Sequence, residues 1–390
     1  MAVYDVGGVL RERPFDVGRL GHFGLYAADA AEMTRFYGDL LGFRVTDHLF
    51  REDGSVFGTF LTYNADHHAM VLIDAEIARG RSDNYDRGVT VNQISFQVSS
   101  LEEVMNANSM LVDEGSPVWR VGRDVPGSNW AVYFTDPDAH TVELFYGMEQ
   151  VGWDRRSKSK AFAKYASIAA PALPQPSELD EIRSVVAAGD DTDSGHVWDD
   201  VRAAEYNVGG VLLPRPFKVV NSGPISLFVT DLDASVAFYR DRMGMAVTEE
   251  SDCLGHRVVY LRTGTEHHTI TLLPVELREP LGLDPRTTLM GYGLQVGSYR
   301  QLRDAADFLT AEGCTVIELP SGVHTGIDYA LHVVDPEGHC VQIYHEMEQV
   351  GSSGIPMAAS DRRQVTSSWP EHIDPTTPTS PNLTFQGPLG

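Results

Sequence analysis

Four polar side chains in the first half of the chain are of types that bind metals or transfer protons. His22 lies in the run GHFGLYAA and His68 in HHAMVLID, whereas Gln93 is the second residue of NQISFQV and Glu143 lies in TVELFYG. Side chains alternate along a strand, so an inward polar residue on each of several strands of a cupped sheet can reach one point inside it. A histidine, a carboxylate and one further nitrogen or oxygen donor form a three-point face that leaves ferrous iron open to substrate and dioxygen.

The elements that must position these residues follow the same order twice in the first half of the chain. Each time a strand is followed by a helix and three further strands, which is a βαβββ module. Asp29 is a plausible N-cap for the first helix, which Gly42 ends. Ser100 begins the second helix, with Glu103 completing a capping box and Gly115 at its end.

An internal repeat shows that the whole chain is a duplication. The segment YDVGGVLRERPFDV at Tyr4 returns as YNVGGVLLPRPFKV at Tyr206, 202 residues later. The segment MEQVG at Met148 returns at Met347, 199 residues later. Because few insertions separate the copies, each copy is predicted to be one folded domain of two modules.

The repeat divides the chain into four segments. A metal-bearing domain is predicted over residues 1–152 and a degenerate repeat domain over 206–351. Residues 153–205 form a linker, within which SELDEIRSVV has the pattern of one short helix. Residues 352–390 are rich in Pro, Ser and Thr, which predicts a disordered tail.

Composition excludes several classes of function. The 390 residues carry a net charge of −25, so nucleic acid and anionic membranes would be repelled. Three cysteines without CxxC spacing can form neither a disulfide framework nor a zinc site alone. No apolar stretch approaches the roughly 18 residues of a spanning helix, and no signal peptide begins the sequence, so a cytoplasmic protein is expected. A homo-oligomer is compatible with this composition.

Four segments resemble the vicinal oxygen chelate superfamily, and specifically its two-domain type I extradiol ring-cleaving dioxygenases: RLGHFGLYAAD, NADHHAMVL, NQISFQV and VYFTDPDAHTVELFYG. The resemblance implies an α+β fold of four βαβββ modules in two tandem glyoxalase/extradiol-dioxygenase-like domains. It also implies that His22 and Glu143 hold the metal, with Gln93 standing where the family has a second histidine. His68 matches the family's acid/base histidine, and Tyr133 matches its active-site tyrosine.

Further residues are candidates for substrate binding. Where the family has a histidine before its tyrosine, this chain offers Asp124 or Asn129. Trp130 and Tyr146, together with Phe145, are aromatic residues that could form a pocket wall. His67 adjoins His68 and is the alternative inward histidine, although strand alternation favours His68. His48 and His140 are expected at the surface.

The second copy lacks these side chains. Alignment at the repeat offsets pairs His22 with Pro224, Gln93 with Gly291, Glu143 with Gln342 and Tyr133 with His332. The catalytic copy is therefore predicted to be the first one. A buried carboxylate is costly without a partner, so Glu143 requires a metal or a cation.

The resemblance implies a non-haem Fe(II) dioxygenase that cleaves a catechol-like, vicinally oxygenated aromatic with O2. Mn, Zn, Ni or Co are alternative divalent metals. Gln93 favours a second hypothesis, a non-oxidative glyoxalase- or epimerase-like enzyme that uses the metal as a Lewis acid. A third is a protein that binds a small aromatic molecule without turnover. Metal content and oxygen uptake distinguish the three.

Overall fold

The computed structural model of the chain describes residues 3–365 and 369–373. It contains two eight-stranded sheets with the same strand order, one for each copy of the repeat. Each sheet joins two βαβββ modules through its central pair of strands, so the predicted α+β fold of four modules in tandem is confirmed. The bounds of the elements follow for each copy.

The first copy begins with a hairpin of β1 (Tyr4–Val6) and β2 (Val9–Arg11). Its large sheet has the order β4-β5-β6-β3-β7-β10-β9-β8. The strands are β3 (Arg19–Ala27), β4 (Arg44–Phe50), β5 (Val56–Thr62), β6 (Met70–Asp74), β7 (Val91–Gln97), β8 (Arg120–Arg123), β9 (Trp130–Thr135) and β10 (Thr141–Tyr146). The helices are α1 (Ala30–Arg35), α2 (Ala75–Arg79) and α3 (Leu101–Asp113), and α4 (Glu178–Ala188) follows in the linker.

The second copy repeats this plan, with the hairpin β11 (Tyr206–Val208) and β12 (Val211–Leu213) first. Its sheet order is β14-β15-β16-β13-β17-β20-β19-β18. The strands are β13 (Val219–Val229), β14 (Ala246–Cys253), β15 (His256–Arg262), β16 (Ile270–Pro274), β17 (Leu289–Val296), β18 (Thr315–Ile317), β19 (Ala330–Val334) and β20 (Cys340–Tyr344). Its helices are α5 (Leu232–Ala237) and α6 (Tyr299–Ala311).

Local helix signals are reproduced in part, because the Glu103 carboxylate accepts from the backbone N–H of Asp16, whereas the predicted capping box places it on Ser100. The Ser100 hydroxyl accepts a hydrogen bond from the backbone N–H of Glu103, as the predicted N-cap of α3 requires. The first helix is not regular to its end, because α1 continues as a π-helix over Phe36–Leu40. The same change occurs after α5, over Phe238–Arg242.

Contacts divide the chain into two compact units whose sequence ranges interleave. The first comprises residues 1–30, 43–81 and 91–200, and the second comprises 31–42, 82–90 and 201–390. Nearly all of α1 and the π-helix that follows it therefore belong to the second unit, where Tyr37 donates a hydrogen bond of 3.0 Å to Asp335. The domain boundaries at residues 152 and 206 stay a prediction from the repeat.

The linker and the tail both contact folded parts of their own units. Helix α4 lies where SELDEIRSVV predicted a helix, and its Glu181 forms a buried ion pair with Arg123. In the predicted tail, Arg362 pairs with Glu348 at 3.0 Å, so at this point the tail is bound to the second unit. Residues 366–368 and 374–390 of that tail lie outside the described residues. Within the described ranges no helix is long and apolar enough to cross a membrane.

Candidate active site

One row of side chains crosses four neighbouring strands of the first sheet. The backbone register pairs His22 of β3 with Ser95 of β7, Ser95 with Glu143 of β10, and Glu143 with Tyr133 of β9. Directly paired residues point to the same face of a sheet. All four side chains are buried on this face.

Glu143 is the centre of this row and is fully buried. Five side chains donate hydrogen bonds to its carboxylate. Its Oε2 lies 2.8 Å from His22 Nε2 and 3.0 Å from Gln93 Nε2, and it also accepts from the Ser95 hydroxyl. Its Oε1 accepts from Asn129 Nδ2 and from Tyr133 OH, both at 2.9 Å.

These donors keep the carboxylate charged despite its burial. Burial by itself raises the pKa of Glu143, but the charge and hydrogen bond of His22 and the hydroxyls of Ser95 and Tyr133 outweigh burial and lower the pKa. For Tyr133 the effect is opposite, because burial and the neighbouring charges of Glu143 and Asp124 raise its pKa well above the usual value. The site therefore pairs an anionic acceptor with a protonated phenol.

His68 lies two residues before β6, the strand that pairs with the His22 strand β3, and its ring contacts that of His22. Its ring centroid lies 4.4 Å from that of His22, in an edge-on arrangement. Burial, together with His22 and His67, lowers the pKa of His68 well below its usual value, so the ring is neutral at pH 7. His67 stands behind it, with its Nδ1 3.1 Å from His68 Nδ1 and its Nε2 3.8 Å from Asp47. The structure thus places His68, rather than His67, against His22.

Not every predicted substrate-binding residue reaches this face. Asn129 does, whereas Asp124 is half-exposed and forms an ion pair with Arg120. Trp130 and Tyr146 pair with each other across β9 and β10, three residues from Tyr133 and Glu143 along their strands. An odd offset places their side chains on the opposite face, so the expectation that they line the same pocket as Glu143 is corrected. Phe145 lies two residues from Glu143 and so shares its face, and its ring centroid is 4.7 Å from that of His22.

Ser95 and Arg120 were missed by the sequence reasoning. Ser95 follows Gln93 by two residues, so strand alternation alone could have placed it on the same face. The Arg120 guanidinium lies 5.3 Å from the centre of the Tyr133 ring, and no local pattern signals that contact. The expectation that His140 is a surface residue was wrong, because it is fully buried with its Nδ1 2.8 Å from Asp136.

His22, Gln93 and Glu143 offer one nitrogen and two oxygen donor groups to a divalent metal. In the described part of the chain, no three His, Cys, Asp or Glu side chains are grouped so that they could hold one. His22 and Glu143 nonetheless present a nitrogen and an oxygen 2.8 Å apart, and two ligands at right angles, each about 2.1 Å from one metal, are about 3.0 Å apart. The residues fit a metal held by one imidazole, one carboxylate and the amide oxygen of Gln93.

The register of the second sheet agrees with the alignment of the repeats, which pairs Glu143 with Gln342 and Tyr133 with His332. Gln342 pairs with Gly293 on one side and with His332 on the other, where Glu143 pairs with Ser95 and Tyr133. Gln342 donates to His332 over 3.2 Å. No carboxylate occupies the centre of this second row.

Both copies match one sequence family. The model of the Glyoxalase/Bleomycin resistance protein/Dioxygenase superfamily matches residues 19–144 and 221–343. The chain belongs to this superfamily. The family resemblance of the four sequence segments is thereby confirmed.

Similar proteins include a metapyrocatechase and a dioxygenase. The chain is 31% identical over 120 residues to metapyrocatechase 2 of Cupriavidus necator, a match that covers 30% of this chain and 33% of that protein. It therefore spans only a third of that relative's length. Homoprotocatechuate 2,3-dioxygenase from Arthrobacter globiformis superposes with a TM-score of 0.54 and 18% identity, over 88% of this chain and 84% of that one.

A structure from another class of the superfamily is about equally similar. The Mn(II)-bound glyoxalase from Novosphingobium aromaticivorans superposes with a TM-score of 0.53 and 16% identity, over 86% of this chain and 84% of that one. At such identities the two structures show that the fold is shared and do not discriminate between reactions.

Proposed function

We propose that this superfamily member is an extradiol-type dioxygenase that binds non-haem Fe(II) in its first copy and acts on a catechol-like aromatic with O2. One observation carries the proposal, the row of His22, Ser95, Glu143 and Tyr133, which the second copy replaces with residues that cannot form the same site. The identity to metapyrocatechase 2 supports the reaction class.

His22, Glu143 and Gln93 would hold the metal. When bound, Fe(II) would supply open coordination positions for the vicinal oxygens of the substrate and for dioxygen. Gln93 donates from Nε2 to Glu143 in the present arrangement, so its amide must turn to present oxygen, which is a small change about one bond. The charged state of Glu143 at neutral pH suits it to a cation.

His68 is the proposed acid/base. Its lowered pKa leaves a neutral ring that can accept the proton of a substrate hydroxyl and later return a proton to the product. His67 contacts its Nδ1 at 3.1 Å and limits the rotation of the ring.

Tyr133 and Asn129 are the proposed positioning donors. The raised pKa keeps the Tyr133 hydroxyl protonated, so it can donate a hydrogen bond to a substrate oxygen. Both side chains are less than 6% exposed, which keeps bulk water away from the reacting groups.

The experiment is metal analysis of protein purified without oxygen, followed by oxygen uptake with a panel of catechols. Stoichiometric iron and catechol-dependent uptake support the proposal. Gln93 favours a non-oxidative enzyme as the second candidate, and bound Zn, Ni, Mn or Co without oxygen uptake would establish that class instead. No metal in any preparation would refute the site and leave a binding protein.

Two matched variants locate the site. Glu143→Ala should abolish metal binding and oxygen uptake. Gln342→Ala, at the same register position of the second copy, should preserve both. Equal losses in the two variants would contradict placement in the first copy.

A further inference from the structure

The second copy contains a cavity of about 990 Å³ within its own unit. His324 and His332 line it, and so do side chains of the C-terminal segment, including Trp369. His332 stands at the register position that Tyr133 occupies in the first copy. The cavity therefore lies on the face that corresponds to the proposed active site.

The two histidines present complementary hydrogen-bonding atoms. They are 7% and 3% exposed, and their ring centroids are 5.3 Å apart. His324 Nδ1 lies 3.0 Å from the carbonyl of Ile327, which can only accept, so the proton sits on Nδ1 and Nε2 is an acceptor. His332 Nε2 accepts from the Gln342 amide, so its Nδ1 carries the proton and is a donor. One donor and one acceptor suit hydroxyl groups.

Charge in the cavity disfavours an anionic ligand. Arg362 contacts Glu249 at 3.0 Å and Glu348 at 3.0 Å, so its charge is already balanced. Arg363 pairs with Asp328, likewise at 3.0 Å. The acidic Asp252 and Glu318 also line the space. Both arginines are already paired with other carboxylates, so the cavity offers an anionic ligand no excess of positive charge. Burial lowers the pKa of His324, and that of His332 to about 3, so neither ring adds positive charge at pH 7.

The walls suit an aromatic ring. The Trp369 ring lies edge-to-face with Tyr329, 5.6 Å between centroids, and is tilted against Tyr299 at 6.4 Å. The Tyr299 hydroxyl donates a hydrogen bond of 2.9 Å to the carbonyl of Pro370. Leu319 and Leu331 add apolar surface. Polar and apolar side chains share the lining, and an apolar wall beside a few convergent polar atoms is a common arrangement in small-molecule sites.

We infer that the second copy is a separate, non-reacting binding site for a small neutral phenol or catechol, whose hydroxyl groups hydrogen-bond to His324 and His332 and whose ring packs against Trp369. Pro224 and Gly291 stand where His22 and Gln93 lie in the first copy, so the metal-binding face is absent there. The second copy then binds the same chemical class that the first copy is proposed to cleave.

Equilibrium dialysis of the full chain with catechol, without oxygen and with a chelator, tests this site. In the Glu143→Ala background, about one catechol should bind per chain. Adding His332→Leu should weaken binding by about tenfold or more, since a buried hydrogen-bonding partner is lost. His256→Leu, a histidine of the same copy that does not line the cavity, should leave the affinity unchanged. Benzoate should bind at least tenfold more weakly than catechol.

A second measurement does not depend on the folding of the Glu143→Ala variant. In the otherwise native chain, Trp369→Leu should lower the number of bound catechols by one. The inference is overturned if catechol does not bind, if neither His332→Leu nor Trp369→Leu weakens binding, or if benzoate binds as tightly. Because no oxygen is consumed, these outcomes are separate from failure of the proposed dioxygenase activity.

Discussion

Replacing Glu143 by alanine in the metal-free protein should cost far more stability than the matched change in the second copy. Five donors meet at its carboxylate, and Glu143→Ala leaves all five without that acceptor. Removing one partner of a buried charged network costs about 3–5 kcal/mol. Gln342 donates one side-chain hydrogen bond, to His332, so Gln342→Ala should cost about 1–2 kcal/mol.

Urea unfolding in the presence of a chelator measures this difference in the free energy of unfolding, which should be about 1–4 kcal/mol. The pKa of Glu143 is lowered in the folded protein, so its stabilisation is present above the unfolded value of about 4.3 and is lost as the pH falls through the folded pKa. The gap between the variants should therefore narrow in acid. Equal losses for the two variants at pH 7, or a gap that widens in acid, would refute the reasoning.

Two further changes test the segments outside the repeats. Burial raises the pKa of Glu249, but hydrogen bonds that include one from Arg362 lower it to about 2, so Arg362→Ala should raise this pKa. Its effect on the urea midpoint should be full above about pH 5 and fade toward pH 2, and a pH-independent effect would contradict the pairing. Arg123→Ala breaks the buried pair with Glu181 and should destabilise the docked linker helix by about 3–5 kcal/mol, seen as faster limited proteolysis of residues 153–200. As a control, the Arg183→Ala variant removes an exposed arginine of the same helix, and its linker should be cleaved at the native rate.

Local sequence signals were sufficient for the strands and the two long helices of the modules, although they did not predict α2 or the hairpin of β1 and β2. The strand bounds around His22 and Glu143 follow from apolar and β-branched runs, and the N-cap Ser100 follows from a capping box. The duplication gave the order of the modules, because the same unit had to bury its face twice. These features depend on neighbours a few residues apart, so they are visible in the chain itself.

Sequence also determined part of the site. His22, Glu143 and Tyr133 were expected together, and one cross-strand row brings them together. Their loss as a set in the second copy was read from the alignment, and the register of its sheet agrees.

Tertiary structure decided the rest of the site. Asn129 reaches Glu143 whereas Asp124 turns to Arg120, and both lie in one loop segment whose sequence left either residue open. Trp130 and Tyr146 face away from Glu143, because the register of β9 and β10 sets which side chains share a face.

The segments outside the repeats show the same limit. Polar composition predicted a surface linker and a disordered tail, yet Glu181 docks on Arg123 and Arg362 binds Glu348. Composition measures the average tendency of a segment to bury itself. A single buried ion pair depends instead on where a distant partner lies, so only the folded structure places it.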